Sequence, residues 1–438
     1  MKTFKAYIKK ILPFSERFGC LYRKITNHYY IWITKKEHRI KLKDLKGKDS
    51  IKCVILAFGS TGFRERLYEL LMRNNRFEVT VVVCPVFNQN QEYRERRLSE
   101  DYRYFKNKGF KNIVLGYDVK TKQSLDIKKT FNPDIVIYTN PYRSLIGEQN
   151  YITKFCDTLT VYIPYYINNT VEYEMAYNEL MHNIVWRYYV ETEWHKKLSV
   201  KYSTNHSRNV VVTGYPGLDM LLDKNYKPSY NAWKIKDPSL KRIIWAPHQT
   251  INPNHTMYYS AFLLIADQMT ELARKYKDKV QIAFKPHPFL VINLYKEWGK
   301  DRTDAFYDNW RSMENTTIVD GDYIDLFLTS DAIIHDSASF ITEYLMLNKP
   351  ALRTNNGRDL RSQFNEFSIA CLEHYYMAYN AHDVEQFIKN VINNFDPKRE
   401  ERTKFVHELL IQQGNNLPSE NIVNDILDSI DNQVLYRN

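Results

Sequence analysis

Three stretches of this chain end an apolar run in a histidine: Trp245-Ala246-Pro247-His248, Lys285-Pro286-His287-Pro288 and His335-Asp336-Ser337. A neutral imidazole can accept a proton from an attacking hydroxyl or donate a hydrogen bond to a phosphate oxygen, and a lysine ammonium adds a point charge to the same oxygens. A single histidine at a strand end is usually structural. Three that the topology brings to one sheet edge, with Lys285 among them, point to chemistry on a phosphorylated ligand. His248 and His287 are therefore candidate catalytic groups, and Lys285 and His287 candidate ligands of a donor phosphate. The prolines on both sides of His287 fix the loop that aims it. Arg242 and Arg353 are weaker candidates, since either could be simply solvated.

The segment that must organise these groups is 330–350, SDAIIHDSASFITEYLMLNKP. Ala332 to Ile334 form an apolar run, small hydroxylated residues follow Asp336, and Phe340, Ile341, Tyr344, Leu345 and Leu347 repeat with helical period. The pattern predicts a strand, a short polar loop and a helix, with Ser337 and Ser339 as N-caps and Glu343 one turn in. Free N–H groups and the positive end of a helix dipole would sit beyond a strand's carboxyl end, where open α/β sheets bind phosphates. A plain capped turn explains the stretch equally well, with Asp336 taking a backbone hydrogen bond and Glu343 only steadying the dipole. Asp322 and Asp325 read as caps of a helix over 324–328.

The surrounding chain alternates strands and helices. Strands are predicted over 53–59, 77–85, 112–118, 134–141, 158–165, 188–192 and 209–216, then over 241–248, 280–288 and 331–335, with an edge strand at 350–354, while 316–321 leads into Asp322. A long helix is expected over 258–276, and C-terminal helices over 383–391, 399–410 and 419–430. Such alternation builds parallel sheets with helices on both faces. A length of 438 residues favours two domains. The expected fold is α/β, with two tandem Rossmann-like doubly wound domains facing a cleft and a basic N-terminal helical arm. The arm spans 1–49, the first domain 50–220, a polar linker 221–240, the second domain 241–395 and C-terminal helices 396–438. Gly59, Ser60, Thr61 and Gly62 form a turn without the spacing of a dinucleotide fingerprint or a P-loop, and are expected to shape a cleft wall.

Of the net charge of +11, residues 1–49 carry 14 Lys+Arg against 4 Asp+Glu, which is +10. The nearly neutral remainder argues against nucleic acid as a partner. Phe4, Tyr7, Ile8, Ile11, Leu12 and Phe14 have helical spacing beside Lys5, Lys9 and Lys10, the pattern of a helix on an anionic membrane surface. The alternative is a basic helix packed on its own protein. No apolar run is long enough to span a bilayer. Five scattered cysteines without metal-ligand spacing, and no signal peptide, fit a reducing cytoplasm.

The order W-A-P-H, K-P-H-P, D-Y-I-D-L-F-L-T-S-D-A-I-I-H-D-S-A-S-F and N-K-P resembles the CDP-glycerol glycerophosphotransferase family of teichoic-acid and capsule synthesis. The resemblance covers residues 240–355 well and the first domain by element order. It implies a B-type glycosyltransferase fold (GT-B), a CDP-glycerol or other CDP-alditol donor held by the second domain, no tightly bound cofactor and no metal. It further implies a glycan or polyprenyl-linked acceptor at the inner face of the cell membrane. In that setting His287 would contact the donor diphosphate, Lys285, Asp336, Ser337 and Ser339 would help hold its phosphates, and Glu343 would bind the ribose. Members that polymerise glycerol phosphate carry a Trp-His-Gly segment in the first domain. Here that region is Tyr162-Ile163-Pro164-Tyr165-Tyr166, without a histidine, which leaves His248 as the candidate base. A nucleotide-sugar glycosyltransferase and a non-catalytic scaffold of the same fold are the rival expectations.

Overall fold

A computed structural model describes residues 16–59, 63–255, 257–414 and 416–437. Two compact units divide the chain. The first takes the residues up to Tyr166, Glu172–Gly217 and the stretch from Asn416; the second takes Ile167–Val171 and Leu218–Asn415.

In the first unit, strands β1 (Ile51–Ala57), β2 (Phe77–Val83), β3 (Ile113–Leu115), β4 (Ile135–Tyr138), β5 (Leu159–Tyr162), β6 (Arg187–Val190) and β7 (Val210–Val212) form a parallel sheet in the order β3-β2-β1-β4-β5-β6-β7. Alternate residues of β1 serve two cores, Cys53, Ile55 and Ala57 on one face and Val54 and Leu56 on the other. A strand covered on both faces reads as a continuous apolar run, which is why the sequence marked it so clearly.

The second unit repeats the scheme with β8 (Lys241–Ala246), β9 (Val280–Phe284), β10 (Thr316–Ile318), β11 (Ala332–His335), β12 (Ala351–Thr354) and β13 (Tyr376–Ala378), parallel and ordered β10-β9-β8-β11-β12-β13. Its core is aromatic: the Trp245 ring stacks on Phe284 and on Phe262 of helix α2 (Phe262–Lys275), and Trp310 lies against both Trp245 and Phe284. In both sheets the strand order reverses beside the first strand, and that reversal opens a crevice at the carboxyl ends. In the second sheet it falls between β8 and β11.

Four expectations are corrected. Strand β12 is not an edge, because the three-residue β13 pairs outside it; so short a strand carries no period to detect. The stretch 221–240 is not a free linker. Trp233 is buried and its indole N–H donates to Thr329 Oγ1 at 2.8 Å, while the Ile235 N–H donates to Gln281. The C-terminal helices do not form one block: α5 (Arg399–Gln413) belongs to the second unit and α6 (Pro418–Asp431) to the first.

The fourth concerns the basic arm. Helix α1 (Glu16–Leu45) buries Asn27, Tyr30, Thr34, His38, Leu42 and Leu45 along one stripe of the first unit. Lys41 and Lys48 both pair with Asp134, at 2.7 and 2.6 Å. Burial raises the Asp134 carboxyl, but the two lysines outweigh it and hold the group below its usual range. Residues 27–45 are thus part of the domain and not a detachable arm. Phe4 to Phe14, and with them the first apolar cluster, lie outside the described residues.

Candidate functional site

The loops that leave β8, β9 and β11 lie side by side at the reversal point of the second sheet. Ala246 pairs with His335 in register, the Lys285 N–H donates to the Trp245 carbonyl at 2.8 Å, and the His287 N–H donates to Pro247 O at 3.1 Å. These bonds bring His248, Lys285, His287 and Asp336 together, as their spacing predicts.

The His248 and His287 rings meet edge to face with centroids 5.1 Å apart. Their hydrogen bonds define the tautomers. Thr250 Oγ1 accepts from the Tyr259 N–H at 3.0 Å, so its own hydrogen is free to go to His248 Nδ1 at 2.8 Å. His248 Nδ1 also accepts from the Thr250 N–H, and His287 Nδ1 accepts from the Phe289 N–H at 3.2 Å. Each ring therefore carries its proton on Nε2, and neither Nε2 has a hydrogen-bond partner among the described residues. Burial and the neighbouring His287 and Arg353 push His248 down to about 3, and burial together with Lys285 lowers His287. Two neutral N–H donors result. This tautomer is unsuited to His248 as a base through Nε2, because that nitrogen already bears a hydrogen.

Lys285 is buried, and its ammonium donates to Gly321 O at 2.7 Å. Burial lowers its pKa, while Asp320 and Asp322 act in the opposite sense. Asp336 takes a different role from the predicted phosphate ligand. Its carboxylate is buried and accepts from the His248 N–H at 2.5 Å, Ser260 Oγ at 3.0 Å and the Ala261 N–H at 2.8 Å. Burial pushes it up to about 6 against those bonds and the nearby Arg353 charge. A carboxylate so engaged organises the turn that carries His248, and its charge would repel a phosphate.

Ser337 and Ser339 occupy the loop between β11 and the helix α3 (Phe340–Leu345). Neither caps it: Ser339 is already in helical conformation and makes no side-chain cap bond. Both hydroxyls are without hydrogen-bond partners among the described residues. At six residues, α3 is too short for its dipole to provide an anion site, so any phosphate contact falls to side chains. Glu343 is buried within α3. His335 belongs to the core, packed against Tyr375 and Phe340 and held neutral by burial. Asp322 caps as expected, accepting from the Tyr323 and Ile324 N–H groups.

Arg353, weak on sequence, proves to be central. It is 1% exposed, lies over the Phe364 ring at 4.6 Å and donates to Ser337 O at 3.3 Å. Burial lowers it to about 10, which leaves it charged at neutral pH beside Asp336. Its place at the end of β12 was the available signal. Arg242, by contrast, stacks on Tyr230. Thr250, which orients His248, gave no sequence signal at all. In the first unit Gly59 ends the turn after β1 with φ +112, a conformation glycine favours, and Ser60, Thr61 and Gly62 lie outside the described residues. Among the described residues no cluster of three His, Cys, Asp or Glu could hold a metal.

The family model described as CDP-Glycerol:Poly(glycerophosphate) glycerophosphotransferase matches residues 166–428, more than half of the chain. The chain belongs to this family. The matched segment begins at Tyr166, the last residue of the histidine-free stretch Tyr162-Ile163-Pro164-Tyr165-Tyr166, and includes every candidate of the second unit. The teichoic acid poly(ribitol-phosphate) polymerase of Bacillus spizizenii is 30% identical over 154 residues, which make up 33% of this chain and 22% of that protein. The teichoic acid ribitol-phosphate polymerase TarK of Staphylococcus aureus is 27% identical over 149 residues, 33% of this chain and 26% of TarK. The matches therefore span about a quarter of each relative.

Among solved structures, the wall teichoic acid polymerase TagF with CDPG aligns over 96% of this chain and 100% of its own at 13% identity and a TM-score of 0.56. The S. aureus MnaA–UDP structure aligns over 87% and 97% at 17% identity and a TM-score of 0.51. These likenesses show the fold, the GT-B type with two Rossmann-like domains that the family resemblance implied.

Proposed function

We propose that this glycerophosphotransferase-family chain transfers an alditol phosphate, glycerol phosphate or ribitol phosphate, from a CDP-activated donor to a glycan or polyprenyl-linked acceptor in cell-surface polymer synthesis. The supporting observation is the pair of neutral Nε2–H donors on His248 and His287, beside Lys285, at the reversal point of the second sheet. An acceptor hydroxyl attacks the phosphorus that bears the alditol and releases its proton to water, a new P–O bond forms, and the P–O bond to CMP breaks. CMP leaves as a phosphate monoester, which needs no added proton at neutral pH, so donors that stabilise charge on the diphosphate are what this edge must supply. In this reading Ser337 and Ser339 add hydroxyl contacts to the same phosphates, and Glu343 is the residue that binds the ribose.

A thermal-shift series with CDP-glycerol, CDP-ribitol, CMP, UDP-sugars and GDP-sugars tests the donor class, since a ligand of the folded state raises the melting temperature. Stabilisation by CMP and a CDP-alditol supports the reading. A response to UDP- or GDP-sugars alone would shift the protein to sugar transfer, and silence throughout would favour a scaffold.

The same reading places the enzyme at the cytoplasmic face of the membrane, bound peripherally. None of the described helices is long and apolar enough to cross a bilayer. The outward face of α1 exposes Ile25, Tyr29, Trp32 and Ile40 beside Lys36, Arg39 and Lys43, a basic and aromatic surface opposite the buried stripe. Trp32 is 65% exposed. Trp32→Asp should weaken sedimentation with phosphatidylglycerol vesicles at least severalfold while leaving the melting temperature unchanged. Undiminished vesicle binding would remove this surface from the membrane reading.

A further inference from the structure

The chain leaves the first unit at Tyr166, contributes Ile167–Val171 to the second and resumes the first at Glu172. The middle of that short segment is fastened to the candidate phosphate loop. Asn169 is 2% exposed; its Nδ2 donates to the Ala338 carbonyl at 2.9 Å, and its Oδ1 accepts from Thr342 Oγ1 at 3.0 Å and Ser368 Oγ at 2.8 Å. The backbone is tied as well. The Asn169 carbonyl accepts from the Asn365 N–H at 3.1 Å, the Asn168 carbonyl accepts from Asn365 Nδ2 at 2.6 Å, and Thr170 bridges to Phe364. One buried amide thus links the middle residue of Ser337-Ala338-Ser339, the helix α3 and the helix α4 (Glu366–Glu373).

We propose that Asn169 is a positioning residue for donor binding: it fixes the backbone between Ser337 and Ser339, so that their two uncommitted hydroxyls are presented together to the donor phosphates. The proposal rests on the reading of those serines given above. Three features carry it. Arg353, which also holds this loop through the Ser337 carbonyl, does so at the longer distance of 3.3 Å. The side chains of Asn169, Thr342, Asn365 and Ser368 are all buried, where neutral hydrogen bonds meet little competition from water. A six-residue helix supplies too little restraint of its own. Without the amide, the loop keeps its sequence and loses its preorganisation, and a ligand must then order it on binding.

The test is calorimetric titration of the full chain with CDP-glycerol and with cytidine. Asn169→Ala should weaken CDP-glycerol about tenfold and change cytidine by less than about twofold, because the nucleoside lacks the phosphates the loop holds. Thr342→Val should weaken CDP-glycerol in the same selective way, and Thr342→Ser, which retains the hydroxyl, should restore it. That pair also decides the matter if Asn169→Ala fails to fold. Amide exchange in the ligand-free Asn169→Ala chain should quicken over 337–342 and stay unchanged in β11. Full CDP-glycerol affinity in Asn169→Ala, or equal losses for CDP-glycerol and cytidine, would overturn the role of Asn169 while leaving the donor assignment intact. A wild-type chain that ignores CDP-glycerol would instead remove the donor assignment, and this proposal with it.

Discussion

His287→Ala should raise the Kd for CDP-glycerol by about 10- to 100-fold, the equivalent of the roughly 1.5–3 kcal/mol that a hydrogen bond to a charged group contributes. His287→Gln should recover most of that loss, because a glutamine amide can place an N–H near the position of the imidazole Nε2–H. The same pair at His248 should behave alike, since Thr250 fixes its ring in the same tautomer. The pH dependence discriminates between a neutral donor and a cation. A cationic imidazole would bind the diphosphate more tightly as pH falls through about 6.5, the ordinary histidine value. Both groups here are pushed below that value, His248 down to about 3. The expected result is a Kd that stays flat from about pH 8 to 6.5. A steep tightening over that window would show that the imidazoles bind as cations and would overturn the tautomer assignment. A kcat lost in His248→Gln with the Kd restored would return His248 to the role of base.

The second large effect is on stability. Arg187, at the start of β6, is completely buried and reaches the C-terminal segment with every arm of its guanidinium. It donates to Asp425 Oδ2 at 2.9 Å, Ser429 Oγ at 2.7 Å, Val434 O at 3.0 Å and Leu435 O at 2.8 Å. Asp425 also accepts from Tyr189 and Arg437. Arg187→Ala removes the fully buried cation paired with Asp425 and takes a donor from Ser429 and two carbonyls, and should cost about 3–5 kcal/mol. Arg187→Lys should recover little, since a single ammonium cannot span four acceptors. Denaturant unfolding followed by tryptophan fluorescence checks this, and a loss under about 1 kcal/mol would show that α6 is held by its apolar contacts alone. Removal of the chain beyond residue 415 should be more damaging still, because Ile422, Ile426 and Ile430 are part of the first unit's core.

This dependence on the C-terminal segment was invisible in the sequence. The helix over 419–430 was legible from its period, but its partner lies more than 200 residues earlier, and periodicity reports which face is apolar without saying what covers it. The same limit explains α1. Its basic composition pointed to an outer surface, whereas the inner stripe of Tyr30, Thr34, His38, Leu42 and Leu45 packs within the domain.

The sequence by itself determined the two parallel sheets, eleven of their thirteen strands and the meeting of His248, Lys285 and His287. It could do so because strands buried on both faces are continuous apolar runs, and because parallel βα units send every strand's carboxyl end to one edge. Tertiary structure decided the rest. Asp336 reads as a phosphate ligand until three donors from elsewhere in the fold engage its carboxylate, and His335 reads as a third histidine of the sheet edge until Tyr375 and Phe340 close around it. Arg353 is ordinary on the page and central once burial sets it beside Asp336. The tautomers of His248 and His287 depend on which group meets Nδ1, and Asn169 reaches the loop across more than 160 residues of chain. Residue type and spacing announce what a side chain is able to do; burial and hydrogen-bond partners, which only the folded chain supplies, select which of those abilities is left to it.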